Sequence, residues 1–116
     1  MSNILDDVAA ILNQEDVYCG YQPDKPDTCT TLFEYPAEPP EHSFGGTDFV
    51  QGVQVRARAL IASEAESLAK SAASKLNHYH DAEISIIQTT PVLDIGRDVA
   101  NPQRQEYTIN FSIRRL

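Results

Sequence analysis

Residues 49–59 read Phe-Val-Gln-Gly-Val-Gln-Val-Arg-Ala-Arg-Ala, and residues 62–78 read Ala-Ser-Glu-Ala-Glu-Ser-Leu-Ala-Lys-Ser-Ala-Ala-Ser-Lys-Leu-Asn-His. In the first, Val53, Val55, Ala57 and Ala59 alternate with Gln54, Arg56 and Arg58. A period of two puts the apolar set on one face of a strand and the polar set on the other. In the second, Ala65, Leu68, Ala72 and Leu76, with Ala69 and Ala73, recur at helical spacing. Ser63-Glu64-Ala65-Glu66 has the pattern of a capping box, and small alanines let a helix lie close on a sheet. A strand with one covered face, followed at once by the helix that covers it, is the kernel of an α+β unit.

Outward from this kernel the pattern extends both ways. Residues 105–114 alternate strictly, with Tyr107, Ile109, Phe111 and Ile113 inward and Thr108, Asn110, Ser112 and Arg114 outward, as in an antiparallel sheet covered on one side. Residues 83–88 form a further strand; Pro91 interrupts, and 92–96 continue extended, which fits an edge, a bulge or a strand leaving the sheet. Residues 3–14 form an amphipathic helix whose stripe is Ile4, Leu5, Val8, Ile11 and Leu12, with Ser2 or Asn3 as cap and Asp6 and Asp7 at the favourable end of the dipole. Residues 17–21 and 29–35 are rich in strand formers, and 22–28, with Pro23, Asp24, Pro26 and Asp27, form a turn. The two strands either make a hairpin, or the first is a short lead-in and only the second lies fully in the sheet. Pro36, Pro39 and Pro40 stop regular structure, so 36–48 is a long Pro/Gly-rich loop. A polar loop covers 94–104. The expectation is one domain over 1–116: a twisted antiparallel sheet of four to five strands with two helices packed on one face.

Composition narrows the function. The 116 residues are 41% hydrophobic and 22% charged, the balance of an ordinary globular domain. No apolar run approaches the ~20 residues that span a bilayer, and the acidic start after Met-Ser-Asn does not read as a signal peptide. The net charge of −8 disfavours sequence-independent nucleic-acid binding, which depends on neutralising phosphates. The charge is uneven: residues 1–48 carry ten acids and one base, and residues 49–116 seven acids and eight bases. Either this is a solubilising surface, or the acidic part of one molecule meets the basic part of a neighbour.

Cys19 and Cys29 do not have a metal-ligand spacing, and His78-x-His80 lacks a second knuckle. Neither thiol lies on a nucleophile turn, and the chain has no phosphate loop, Gly-x-Ser-x-Gly or His-Glu-x-x-His. No catalytic residue, cofactor or metal is expected.

Several stretches together resemble the minor capsid and tail terminator proteins of long, non-contractile-tailed bacteriophages. They are the opening helix from Ile4 to Gln14, the Tyr35-Pro36 step, the strand Val53 to Arg58 running into the alanine-rich helix, and Thr90-Pro91-Val92-Leu93-Asp94-Ile95-Gly96-Arg97-Asp98 followed by Arg104-Gln105-Glu106-Tyr107-Thr108-Ile109-Asn110-Phe111. The resemblance implies a structural virion protein of the tail or neck, assembled in the host cytoplasm. It implies a hexameric ring on the end of the tail tube that stops tube polymerisation and joins tail to head. Its partners would be the tail tube protein and the head–tail connector proteins; DNA would pass through without specific binding, and no membrane would be involved.

A ring requires a heterologous interface whose rotation closes. Arg56, Arg58, Arg97, Arg104, Arg114 and Arg115 are candidates for one side of it, and Asp24, Asp27, Glu34, Glu38 and Glu41 for the other. Exposed pairs contribute only ~0.2–1 kcal/mol each, so they would set register, while apolar area would supply affinity. Phe44, Phe49 and Tyr21 are candidate anchors; Phe44 anchors either its own domain or a partner, and Phe49 is more readily read as core packing. The rival readings are another head-completion or neck component, a small cytoplasmic binding domain or Cys/His enzyme, and an acidic partner-binding protein such as an inhibitor.

Overall fold

A computed structural model describes residues 3–35, 49–97 and 101–115, with the side chains of Phe49 and Val50 left aside. The expected loop at 36–48, with Glu38, Glu41 and Phe44, lies outside the described residues, as do 98–100 and the side chain of Phe49.

The elements run α1 (Ile4–Leu12), β1 (Val17–Cys19), β2 (Cys29–Tyr35), β3 (Phe49–Ala59), α2 (Ala62–Leu76), β4 (Ile84–Gln88), β5 (Leu93–Arg97) and β6 (Gln105–Arg115). The strand order is β1-β2-β3-β6-β4, with β5 also paired to β6. Both helices cover one face. Their apolar stripes (Ile4, Leu5, Val8 and Leu12; Ala69, Ala72 and Leu76) close over Leu32, Val53, Val55, Ala57, Ile109, Phe111 and Ile113 in one core. The α+β architecture is as the periodicities require, with six strands instead of four or five.

The additional strands come from two local causes. First, β1 and β2 are not a hairpin: β1 runs parallel to β2, with Val17 opposite Thr30 and Cys19 opposite Leu32. The sheet is therefore mixed, and residues 20–28 must carry the chain back along its own direction. Second, β4 and β5 share one flank of β6. Gln88 faces Phe111 and Leu93 faces Thr108, so five steps on one side match three on the other. The surplus sits at Thr89–Val92, where Pro91 cannot donate to the ladder. Thr90 repairs the gap, its Oγ1 accepting from the Asn110 N–H at 2.9 Å. Residues 93–97, expected partly as loop, are thus an edge strand with a bulge between Asp94 and Gly96.

The helix ends differ from expectation. At α1, Asn3 accepts from the Leu5 N–H at 2.8 Å, and Lys75 donates to the Leu12 carbonyl at the far end at 2.7 Å. At α2 the capping box does not form: Ile61 occupies the N-cap position with no side-chain hydrogen bond, which places Ser63 already inside the first turn.

Candidate docking surfaces

Cross-strand partners lie on the same face of a sheet. The helix-free face therefore carries two full rows: Tyr18, Thr31, Arg56, Thr108 and Leu93; and Tyr35, Gly52, Ser112 and Ile87. Tyr35 lies against Gly52, where a Cβ would stand 2.5 Å from its ring carbons. Arg56 lies 5.6 Å from the Phe33 ring centroid and donates to Gln54, and Gln54 donates to Asn110. The face is ordered by its own side chains, although Thr31 Oγ1 and Arg56 Nε are buried there without a partner among the described residues.

Four of the residues expected at an intersubunit contact meet inside one chain. Arg58 and Arg104 are each only 2% exposed. The Arg58 guanidinium donates to the carbonyls of Pro23 (2.8 Å), Pro26 (2.7 Å) and Asp27 (3.0 Å). Arg104 donates to Asp27 Oδ1 through Nε and Nη2, at 2.9 and 2.6 Å, and to the Asp24 carbonyl at 2.6 Å. Gln22 adds a 2.7 Å bond to Glu106. Asp24 gives its carbonyl but keeps an exposed carboxylate, and Asp27 is held by Arg104; the expectation of a subunit contact is therefore corrected for the buried pair Arg58 and Arg104. Their planar forks hold the return loop 20–28 over the end of the sheet, a task a compact ammonium cannot perform. The Arg104 bonds hold the Asp27 carboxyl below its usual range, with Lys25 assisting.

The other candidates are placed differently. Arg115 is half-buried and pairs with Asp7 of α1 at 3.0 Å, on the helix side. Arg114 and Glu34 are exposed, and Arg97 is exposed with a bond to the Pro102 carbonyl. Large apolar side chains are exposed at Tyr21, Leu60, Ile61, Ile87, Leu93 and Ile95. Of these, the anchor reading of the sequence found only Tyr21. The others had a legible signal: Ile87 breaks the parity set by Ile84 and Ile86, and Leu60-Ile61 is a large apolar pair in a strand–helix turn.

The thiols offer no activated nucleophile. Burial pushes Cys19 and Cys29 upward, away from thiolate character. Among the described residues no group of three His, Cys, Asp or Glu side chains could hold a metal, and no helix is long and apolar enough to cross a membrane.

The sheet has two distinct ends. At one, Tyr35 faces Gly52 and Phe49 faces Arg115, so β2 ends and β3 begins there. At the other, Cys29 faces Arg58, while Ala59 and Arg97 both face Gln105. Loop 20–28, the Leu60-Ile61 turn and residues 101–104 gather at this second end. The eleven residues of β3 separate the ends by about 35 Å.

No curated protein matches the chain. A solved structure titled "Virion of native gene transfer agent (GTA) particle" contains a chain with the same fold, at a TM-score of 0.64 and 16% identity, covering 93% of this chain and 83% of that one. A family model described as bacteriophage tail terminator protein matches residues 4–115. With nearly the whole of the sheet and both helices inside that match, the chain belongs to the bacteriophage tail terminator family and is a structural protein of the virion tail.

Proposed function

We propose that copies of this chain, six in number, close into a ring on the end of the tail tube, halt tube growth, and offer a different surface to the head-side connector. The supporting observation is the separation of the two ends of the sheet. β2 ends and β3 begins at one end, and the latched 20–28 loop with Leu60, Ile61 and residues 101–104 gathers at the other. A terminator needs such polarity: one surface must accept the growing tube, and the opposite one must refuse another tube subunit. The work is done by docking, with no reaction catalysed. DNA passes through the ring unread, since an acidic chain supplies little phosphate neutralisation. Assembly takes place in the host cytoplasm.

The test is tube growth from purified tail tube protein of the same phage. Adding this protein should stop elongation, and negative-stain images should show a cap on one end only. Tubes that keep lengthening at saturating protein would overturn the proposal.

A further inference from the structure

The helix-free face has unlike edges. At its β1 edge stand Tyr18 and Tyr21, ring centroids 5.8 Å apart in an edge-to-face pair. Tyr21 is 59% exposed. Asp16 accepts from the Tyr18 hydroxyl and is itself exposed, beside exposed Glu15. Neither acid has a cationic partner among the described residues. At the opposite edge stand Ile87, 54% exposed, and Leu93, 42% exposed, with exposed Arg114 in the row beside Ile87. Arg114 has no ion pair among the described residues. Asp94 of β5 falls by register on the helix side, where it accepts from Gln105 and the Gly96 N–H. One edge is thus aromatic and acidic, the other aliphatic and basic.

Tyr18 and Leu93 sit at the two ends of one row across the sheet, about 19 Å apart at strand spacing. Surfaces that are complementary but lie on opposite sides of one molecule cannot satisfy each other within it. They are satisfied by a second copy in a head-to-tail contact, the kind that closes into rings. An aromatic pair against aliphatic side chains supplies an anchor, and the rim charges set register.

We infer that the Tyr18–Tyr21 corner of one copy, with Asp16, seats on the Ile87–Leu93–Arg114 corner of the next copy. This rests on the ring reading and names the surfaces that would build it.

The experiment uses the full chain and measures solution mass by light scattering over a concentration series, with circular dichroism and thermal melts as fold controls. Wild type should assemble. Ile87→Glu and Tyr21→Asp, both at exposed positions, should keep the wild-type melt and raise the half-assembly concentration at least about tenfold. Mixed in equal amounts they should give a dimer and nothing larger, because each retains the edge the other lacks. Arg114→Glu should weaken assembly several-fold and remove much of its salt dependence. Variants that assemble like wild type, or a mixture with no dimer, would overturn the inference and leave the ring reading standing. A wild type that stays monomeric at every concentration, and on tubes too, would overturn both.

Discussion

Arg58 is a buried cation on a strand whose neighbours are half-exposed or apolar. By parity it belongs to the polar face of β3, and the alternation of 53–59 makes it look like a surface charge. Its 2% exposure follows from the loop that lies over it. Three carbonyls of residues 23–27 lie within 3.0 Å of its guanidinium. Removing a buried hydrogen-bonded charge costs about 3 kcal/mol or more, because its acceptors are left without partners. Arg58→Ala should lower the denaturant midpoint accordingly, and hydrogen exchange should show residues 17–20 losing protection before β3 and β6. Arg104 acts through Asp27, whose carboxyl is held down by that contact. A depressed folded value means the contribution is fully present above the ordinary carboxylate range, near pH 4, and is lost as pH falls through the lower folded value. Asp81 behaves likewise, held down chiefly by the N–H groups of Glu83 and Ile84. Asp27→Asn should therefore flatten the acid limb of a stability–pH profile below about pH 4, read from urea melts, while lowering stability at neutral pH.

At the scale of elements, α2 shows how tertiary packing overrides local signals. Its stripe of Ala65, Ala69, Ala72 and Leu76 is buried as periodicity requires. Its start is not where the capping box would put it, because the strand–helix turn at Leu60-Ile61 brings the chain into helix before Ser63 can cap. Ile61 has the extended backbone of an N-cap residue but no oxygen to accept from the first turn. Ile61→Asp should therefore raise thermal stability by about 1 kcal/mol. If the exposed Leu60-Ile61 pair serves a partner at that end of the sheet, the same substitution lowers docking while it stabilises the fold, and a melt beside a tube-capping assay separates the effects. β1 teaches the converse. Its composition indicates a strand, but its direction depends on a loop pinned by Arg58 of β3 and by Arg104, just before β6.

At the scale of the whole molecule, the proposed function assigns different docking to the two ends and two edges of one sheet. Deleting residues 37–46 should impair docking at one end more than it lowers the melting temperature, as capping assays and melts on the same variant would show; equal loss in both would count against that division. Salt should act on assembly, where exposed Arg114 is screened, far more than on the fold, whose arginines at 58 and 104 are buried.

Periodicity alone specified the core, the two helices and the long strands, because burial on one face imposes a period of 2.0 or 3.6 on any chain that forms such a face. The family resemblance rested instead on particular stretches, such as Tyr35-Pro36 and residues 90–98. Periodicity could not specify which arginines are internal, because Arg56, Arg58 and Arg114 share one parity, and a carbonyl-lined return loop reaches only one of them. Nor could it give the parallel pairing of β1 or the unlike edges of the open face, since strand order joins residues that lie ninety positions apart in the chain, such as Tyr18 and Thr108. Those contacts are long-range, and they come into being only when the sheet closes.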